Sequence, residues 1–101
     1  MISANLTKEM RREIYRRDGW RCALCDSPKA IQVHHLYPRR LGGAQHPMNL
    51  ITLCMYCHMA IHGRALDATA AEQRELREWA KQAAHEYLAD YYAPDWYPWE
   101  G

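Results

Sequence analysis

The stretch IQVHHLYPRRLGGAQHPMNLITLCMYCHMAIH, residues 31–62, decides the fold. Its first six residues, Ile31 to Leu36, alternate and include β-branched side chains, which predicts a short strand. Pro38 and Gly42-Gly43 mark a loop that Pro47 closes. Leu50 to Leu53 predict a second short strand. A helix is expected from near Cys54 to about His62, with Gly63 as its stop. Strand, loop, strand and helix in so short a span give a small antiparallel hairpin with a helix beside it.

Two Cys-x-x-Cys pairs frame this unit, Cys22/Cys25 before it and Cys54/Cys57 inside it. A two-residue gap lets both sulfurs of a pair reach one tetrahedral ion, and thiolates are soft, strong ligands for zinc. The four cysteines therefore predict a closed structural zinc site. The 28 residues between the pairs exceed the gap of an ordinary zinc ribbon, and the hairpin is what fills them. Two other arrangements fit the spacing less well. One is four buried thiols without a metal. The other is a mixed site that uses His58 in place of Cys57 and leaves a spare thiolate beside the ion.

Histidines carry the second pattern. At about 100° per residue, His58 and His62 lie within about 40° of each other on a helix, a recurring arrangement for a metal pair. Cys57 projects about 100° from His58, so one short helix can serve two ions on different faces. Alone, such a pair is more often ordinary surface. It is joined, however, by His34-His35 at the end of the first strand, where two adjacent imidazoles are hard to explain by packing. Successive strand side chains face opposite ways, so His34 turned to the helix leaves His35 to approach from the other side.

Taken together, HH-x13-N-x8-H-x3-H, built from His34-His35, Asn49, His58 and His62, resembles the HNH endonucleases, metal-dependent nucleases on a ββα-metal (His-Me) finger. The spacing looks like that of the nuclease colicins, while the Cys-x-x-Cys pairs look like phage and bacterial HNH proteins. The resemblance spans about Arg11 to Gly63. It implies that His34, His58 and His62 hold a catalytic divalent ion (Mg²⁺, Mn²⁺, Ni²⁺ or Zn²⁺) and that His35 is the general base. Asn49 would tie down the loop and orient His35; in many relatives the Asn is itself a ligand. The implied activity is hydrolysis of DNA phosphodiester bonds with little sequence specificity, leaving a 5′-phosphate and a 3′-hydroxyl. Arg39, Arg40 and Arg64 flank the site in sequence and are placed to contact backbone phosphates, with ordinary surface charge as the plainer alternative. A rival expectation is a zinc-stapled nucleic-acid-binding or docking module without catalysis, working in a larger assembly such as phage packaging. A protein partner or a dimer is compatible with either.

Composition sets bounds on these expectations. At 101 residues the chain is expected to be one domain, small enough that a metal staple is useful. No apolar run approaches the roughly 18 residues a membrane span needs, and the polar opening MISANLTKEMRRE is unlike a secretory signal. A cytoplasmic, reducing setting is expected, in which paired cysteines favour metal over disulfide. The net charge of +1 hides a division. Residues 1–65 hold ten Lys/Arg against four Asp/Glu; residues 66–101 hold three against eight. The basic part is the part carrying the His and Cys motifs, which suits a polyanion partner there.

The flanks read as helices. Thr7 caps a first helix to about Arg17, with Met10 and Ile14 on one face and Asp18-Gly19 as the stop. Residues 20–30 form the first knuckle, with a turn at Ser27-Pro28. Thr69-x-x-Glu72 has the capping-box form and opens a helix over about 69–91. Its expected apolar stripe is Leu76, Trp79, Ala80, Ala83, Tyr87 and Tyr91. The aromatic tail, 92–101, is expected to pack back on the domain, and His46 and His85 fall outside the motif. The fold expected from all of this is α+β: a ββα-metal finger with a structural zinc and flanking N- and C-terminal helices.

Overall fold

The structure, a computed structural model, describes residues 7–36 and 46–92. Five regular elements follow in order: α1 (Lys8–Arg17), β1 (Ile31–His35), β2 (Leu50–Cys54), α2 (Met55–Ile61) and α3 (Ala70–Tyr91). A short 3₁₀ turn, Pro47–Asn49, leads into β2. The arrangement is the expected α+β one, a two-stranded antiparallel hairpin with a helix after it and helices at both flanks. The loop carrying Arg39, Arg40 and Gly42-Gly43, and the tail beyond Tyr92, lie outside the described residues.

The hairpin register sets the site. Ile31 pairs with Cys54, His34 with Ile51 and His35 with Leu50. One further bond, from the Leu36 N–H to the Asn49 carbonyl at 2.8 Å, carries the pairing past β1 into the 3₁₀ turn. Every residue of β2 is buried. Its Thr52 N–H donates to the Asp18 carboxylate at 2.9 Å, and its carbonyl accepts from the Ala23 N–H at 2.9 Å. The strand's second edge is therefore covered by the end of α1 and the first knuckle rather than left open.

Sequence chemistry explains the helix ends. The Thr7 hydroxyl accepts from the Met10 N–H, as an N-cap should. At the other end of α1, Gly19 (φ +75°) donates to the Arg16 carbonyl and Trp20 donates to the Tyr15 carbonyl. This is a Schellman motif, and the Tyr15–Trp20 ring pair, with centroids 5.3 Å apart, is its accompanying apolar contact. α2 ends the same way. Gly63 (φ +73°) donates to Ala60 and Arg64 to Met59. The helix stops at Ile61, and His62 is its cap at φ −89°, ψ 2°, close enough to helical to keep its ring over the same face.

In α3 the capping box is complete: the Glu72 N–H donates to the Thr69 hydroxyl and the Thr69 N–H to the Glu72 carboxylate. The buried seam shares Ala80 with the expected stripe and has Tyr87 packed at its edge, but differs at Trp79 and Tyr91. Ala80, Ala84 and Leu88 face inward, packed in one core with Cys22, Ile51, Leu53, Cys54, Cys57 and Ile61. Trp79 is 49% exposed and Tyr91 52%. The reason is steric. α3 runs close against α2, and methyl side chains permit a separation that an indole would prevent.

Candidate metal centres and active site

Both knuckles converge. Cys22 lies in the first and Cys25 three residues on, while Cys54 caps α2 and Cys57 sits one turn inside it. The four sulfurs all lie within 4.8 Å of one another, and Cys25 Sγ is 3.6 Å from Cys54 Sγ. Four thiolates around one zinc at about 2.3 Å would stand about 3.8 Å apart, so the spacing fits a tetrahedral ion. Backbone turns hold each knuckle: the Cys22 N–H donates to the Ser27 carbonyl, and the Cys57 N–H donates to Cys54 Sγ.

Electrostatics points the same way. Burial, reinforced by the neighbouring Cys22, pushes the Cys57 thiol far up. Burial likewise raises Cys25. At Cys54 burial is outweighed by the Cys57 N–H and the adjacent thiols, and the thiol sits below its ordinary value. Thiolates this close repel one another, and a bound divalent metal supplies the charge that offsets the repulsion. The cluster is a structural metal site.

A second cluster forms from three imidazoles. His34 on β1 faces α2, with its ring centroid 4.9 Å from that of His58 and 5.1 Å from that of His62. The two helix-borne rings are 4.8 Å apart, with Nε2 atoms at 3.2 Å. One nitrogen from each of the three rings lies within 4.8 Å of the others. His34 is buried, His58 half-buried and His62 exposed, so the cluster opens outward from the hairpin. Burial, then the charges of His58, His62 and His35, pushes His34 down to about 3. Burial and then His62 lower His58 as well. Such imidazoles are neutral near pH 7 and offer lone pairs, which is what a metal ligand requires. Three imidazole nitrogens converging on one point fit a divalent ion that keeps open positions.

His35, next along β1, stands half-buried outside this cluster. Asn49 closes the 3₁₀ turn and is fully buried. Its N–H donates to the His46 carbonyl at 2.7 Å and its carbonyl accepts from Leu36, so its backbone is held on both sides. Arg64 is exposed just after Gly63. His46 is exposed and caps the 3₁₀ turn by accepting from the Met48 N–H.

Sequence reading overlooked one feature of the site's surroundings. Arg17 and Asp18, taken there as a helix end and its stop, form an ion pair whose side chains are 11% and 0% exposed. The guanidinium reaches the Pro47 and Leu50 carbonyls, on either side of Asn49. An Arg-Asp step before a helix-ending glycine is the only sequence trace of it.

Residues 22–64 match the family model for HNH endonuclease. This span contains both clusters, His35, Asn49 and Arg64, and the match points to a nuclease or nucleic-acid-binding role. Neither curated proteins nor solved structures returned a match. No described helix is long and apolar enough to cross a membrane.

Proposed function

We propose that this chain, with an HNH match over residues 22–64, is a metal-dependent DNA endonuclease that hydrolyses phosphodiester bonds with little sequence preference. The observation that carries the reading is the convergence of His34, His58 and His62 beside a second strand imidazole, His35, in one hairpin-helix unit. In this reading His34, His58 and His62 hold the catalytic ion. When bound, that ion supplies a Lewis acid for the phosphate oxygens and the departing 3′ oxygen.

The chain's own residues do the rest. His35, as general base, takes the proton of the attacking water, a task suited to an imidazole. Asn49, buried and held by backbone bonds on both sides, fixes the turn opposite His35 and so orients it. Arg64, together with Arg39 and Arg40, contacts phosphates either side of the scissile one. Such contacts position the duplex without reading its bases, which predicts low specificity and strong salt dependence. Zinc fills the Cys22/Cys25/Cys54/Cys57 site, because an all-thiolate tetrahedron suits it best.

Attack by water with loss of the 3′ oxygen leaves a 5′-phosphate and a 3′-hydroxyl. End-group analysis of a cleaved, labelled duplex tests this directly. A 3′-phosphate would overturn the proposed chemistry, and no cleavage with any divalent ion by folded, zinc-loaded protein would leave a nucleic-acid-binding module.

A further inference from the structure

A buried ion pair that the proposed chemistry does not use sits under the active-site turn. Arg17 spends all of its donors. Nε and Nη2 give to the two oxygens of Asp18 at 2.7 and 2.9 Å. Nη2 also gives to the Leu50 carbonyl at 2.6 Å. Nη1 gives to the Pro47 carbonyl at 2.8 Å and to the Tyr92 hydroxyl at 3.1 Å. A guanidinium has five N–H groups, and these are five bonds. Asp18 is equally committed, since beyond Arg17 it accepts from the Thr52 N–H and the Tyr87 hydroxyl, each at 2.9 Å. A carboxylate offers about four lone-pair sites, so it too is filled.

Desolvating such a pair costs as much as its attraction returns, so stability alone is a poor reason to keep it. What it does hold is a specific backbone segment. The Pro47 and Leu50 carbonyls bracket Asn49; Leu50 pairs with His35, and the Asn49 carbonyl receives the Leu36 N–H just beyond His35. Behind the pair, α3 closes it off: the guanidinium carbon lies 5.8 Å from the ring centroids of both Tyr91 and Tyr92. Loops carrying catalytic groups are usually the mobile part of a fold. Here the turn is fastened to a helix end by a planar, multi-donor cation.

We propose that the Arg17–Asp18 pair is a positioning device that locks the Pro47–Leu50 segment, and through it Asn49 and His35, in working geometry. The proposal rests on the nuclease reading for what that geometry serves. Lysine isolates the effect. It keeps the positive charge beside Asp18 but is a point donor that cannot bracket two carbonyls while gripping both carboxylate oxygens.

The test compares wild type with Arg17→Lys as zinc-loaded full chains. Amide hydrogen exchange is read at Leu36 and Asn49, with α3 amides as reference, and kcat and KM are measured on a short duplex. We expect exchange at Leu36 and Asn49 to accelerate about tenfold or more while α3 is unchanged. kcat should fall about 10- to 100-fold, the scale of a small misplacement of reacting groups, with KM within about twofold. Calorimetric Mn²⁺ binding should hold at the wild-type value. Ala80→Gly, which weakens α3 without touching the turn, should lower the melting temperature and leave kcat alone. Should Arg17→Lys fail to fold, Asp18→Asn, nearly identical in size, takes its place in the same measurements. Unchanged exchange at Leu36 and Asn49 overturns the clamp. Faster exchange with unchanged kcat overturns its role in positioning. If wild type cleaves nothing, the nuclease reading falls and the catalytic role falls with it, while the exchange data still report whether the pair holds the turn.

Discussion

The thiol cluster and the imidazole cluster are built on the same β2–α2 unit and its neighbours, yet they differ in every respect that matters for a metal. Four thiols come from two knuckles, three of them buried, and together they complete a tetrahedral shell. Three imidazoles come from one strand and the end of one helix, and they grade from buried to exposed. The first arrangement leaves no room for a fifth partner from outside. The second leaves its outer side open. In the proposed function, donor number and exposure thus separate a metal that holds the fold from a metal that works on a substrate, with α2 serving both through different faces.

The largest effect should come from breaking the closed side. Cys57→Ser, or prolonged chelation of wild type, should release the structural metal and unfold the chain. A structural zinc contributes about 10 kcal/mol or more. That is comparable to the whole stability of a small domain, roughly 5–15 kcal/mol. Loss of helical circular dichroism, together with loss of one equivalent of zinc by elemental analysis, checks this. A cooperative melt within a few degrees of wild type would show that the cluster is not a staple.

The open side should respond differently. His58→Ala and His62→Ala should retain zinc and fold. Their calorimetric affinity for added Mn²⁺ or Ni²⁺ should drop by more than the about 10- to 100-fold typical of losing an outer-shell partner. If both variants bind the ion as wild type does, the three-imidazole site is not where it sits.

Smaller effects probe the helix behind the thiols. Ala84→Leu puts extra volume into the seam between α3 and α2, and overpacking of this kind costs about 1–3 kcal/mol. Trp79→Ala removes a half-exposed ring and should change thermal stability much less. The reverse order in chemical denaturation would restore the stripe expected from sequence. Least of all, the capping box should show in a titration. The Thr69 N–H and then its hydroxyl hold the Glu72 carboxyl below the ordinary glutamate value. Its contribution is therefore present above that ordinary value and fades as pH falls through the lowered one. A carbon-detected titration should place Glu72 below a free glutamate, and Thr69→Ala, which removes the hydroxyl but keeps the N–H, should raise it part of the way back; no shift on substitution would contradict the hydroxyl's part in the box.

How much of this was legible in the sequence depended on range. Cys-x-x-Cys pairs, the i, i+4 histidines and the helix-stopping Gly19 and Gly63 act within a few residues, and each stands where the pattern placed it. The stripe on α3 was right at Ala80 and Tyr87 but wrong at Trp79 and Tyr91, because apolar character does not tell which residues can approach closely: Ala84 and Leu88 join Ala80 in the core through the separation between helices, a property of two elements together. Arg17 and Asp18 were missed for the same reason. Their partners lie 30 or more residues on, at Pro47, Leu50, Thr52 and Tyr87, and no local spacing announces them. Arg39 and Arg40 fall outside the described residues, and their contacts with phosphate rest on the proposed function.

The most direct measurement is cleavage of supercoiled plasmid by wild type and His35→Ala in metal-stripped buffer, with and without Mg²⁺ or Mn²⁺. The reading predicts conversion by wild type only when the ion is added. His35→Ala should be slower by about 10²- to 10⁴-fold, as expected for losing a general base, while keeping its zinc and its melting temperature. Equal cleavage by the variant, or cleavage that ignores the added ion, would contradict it.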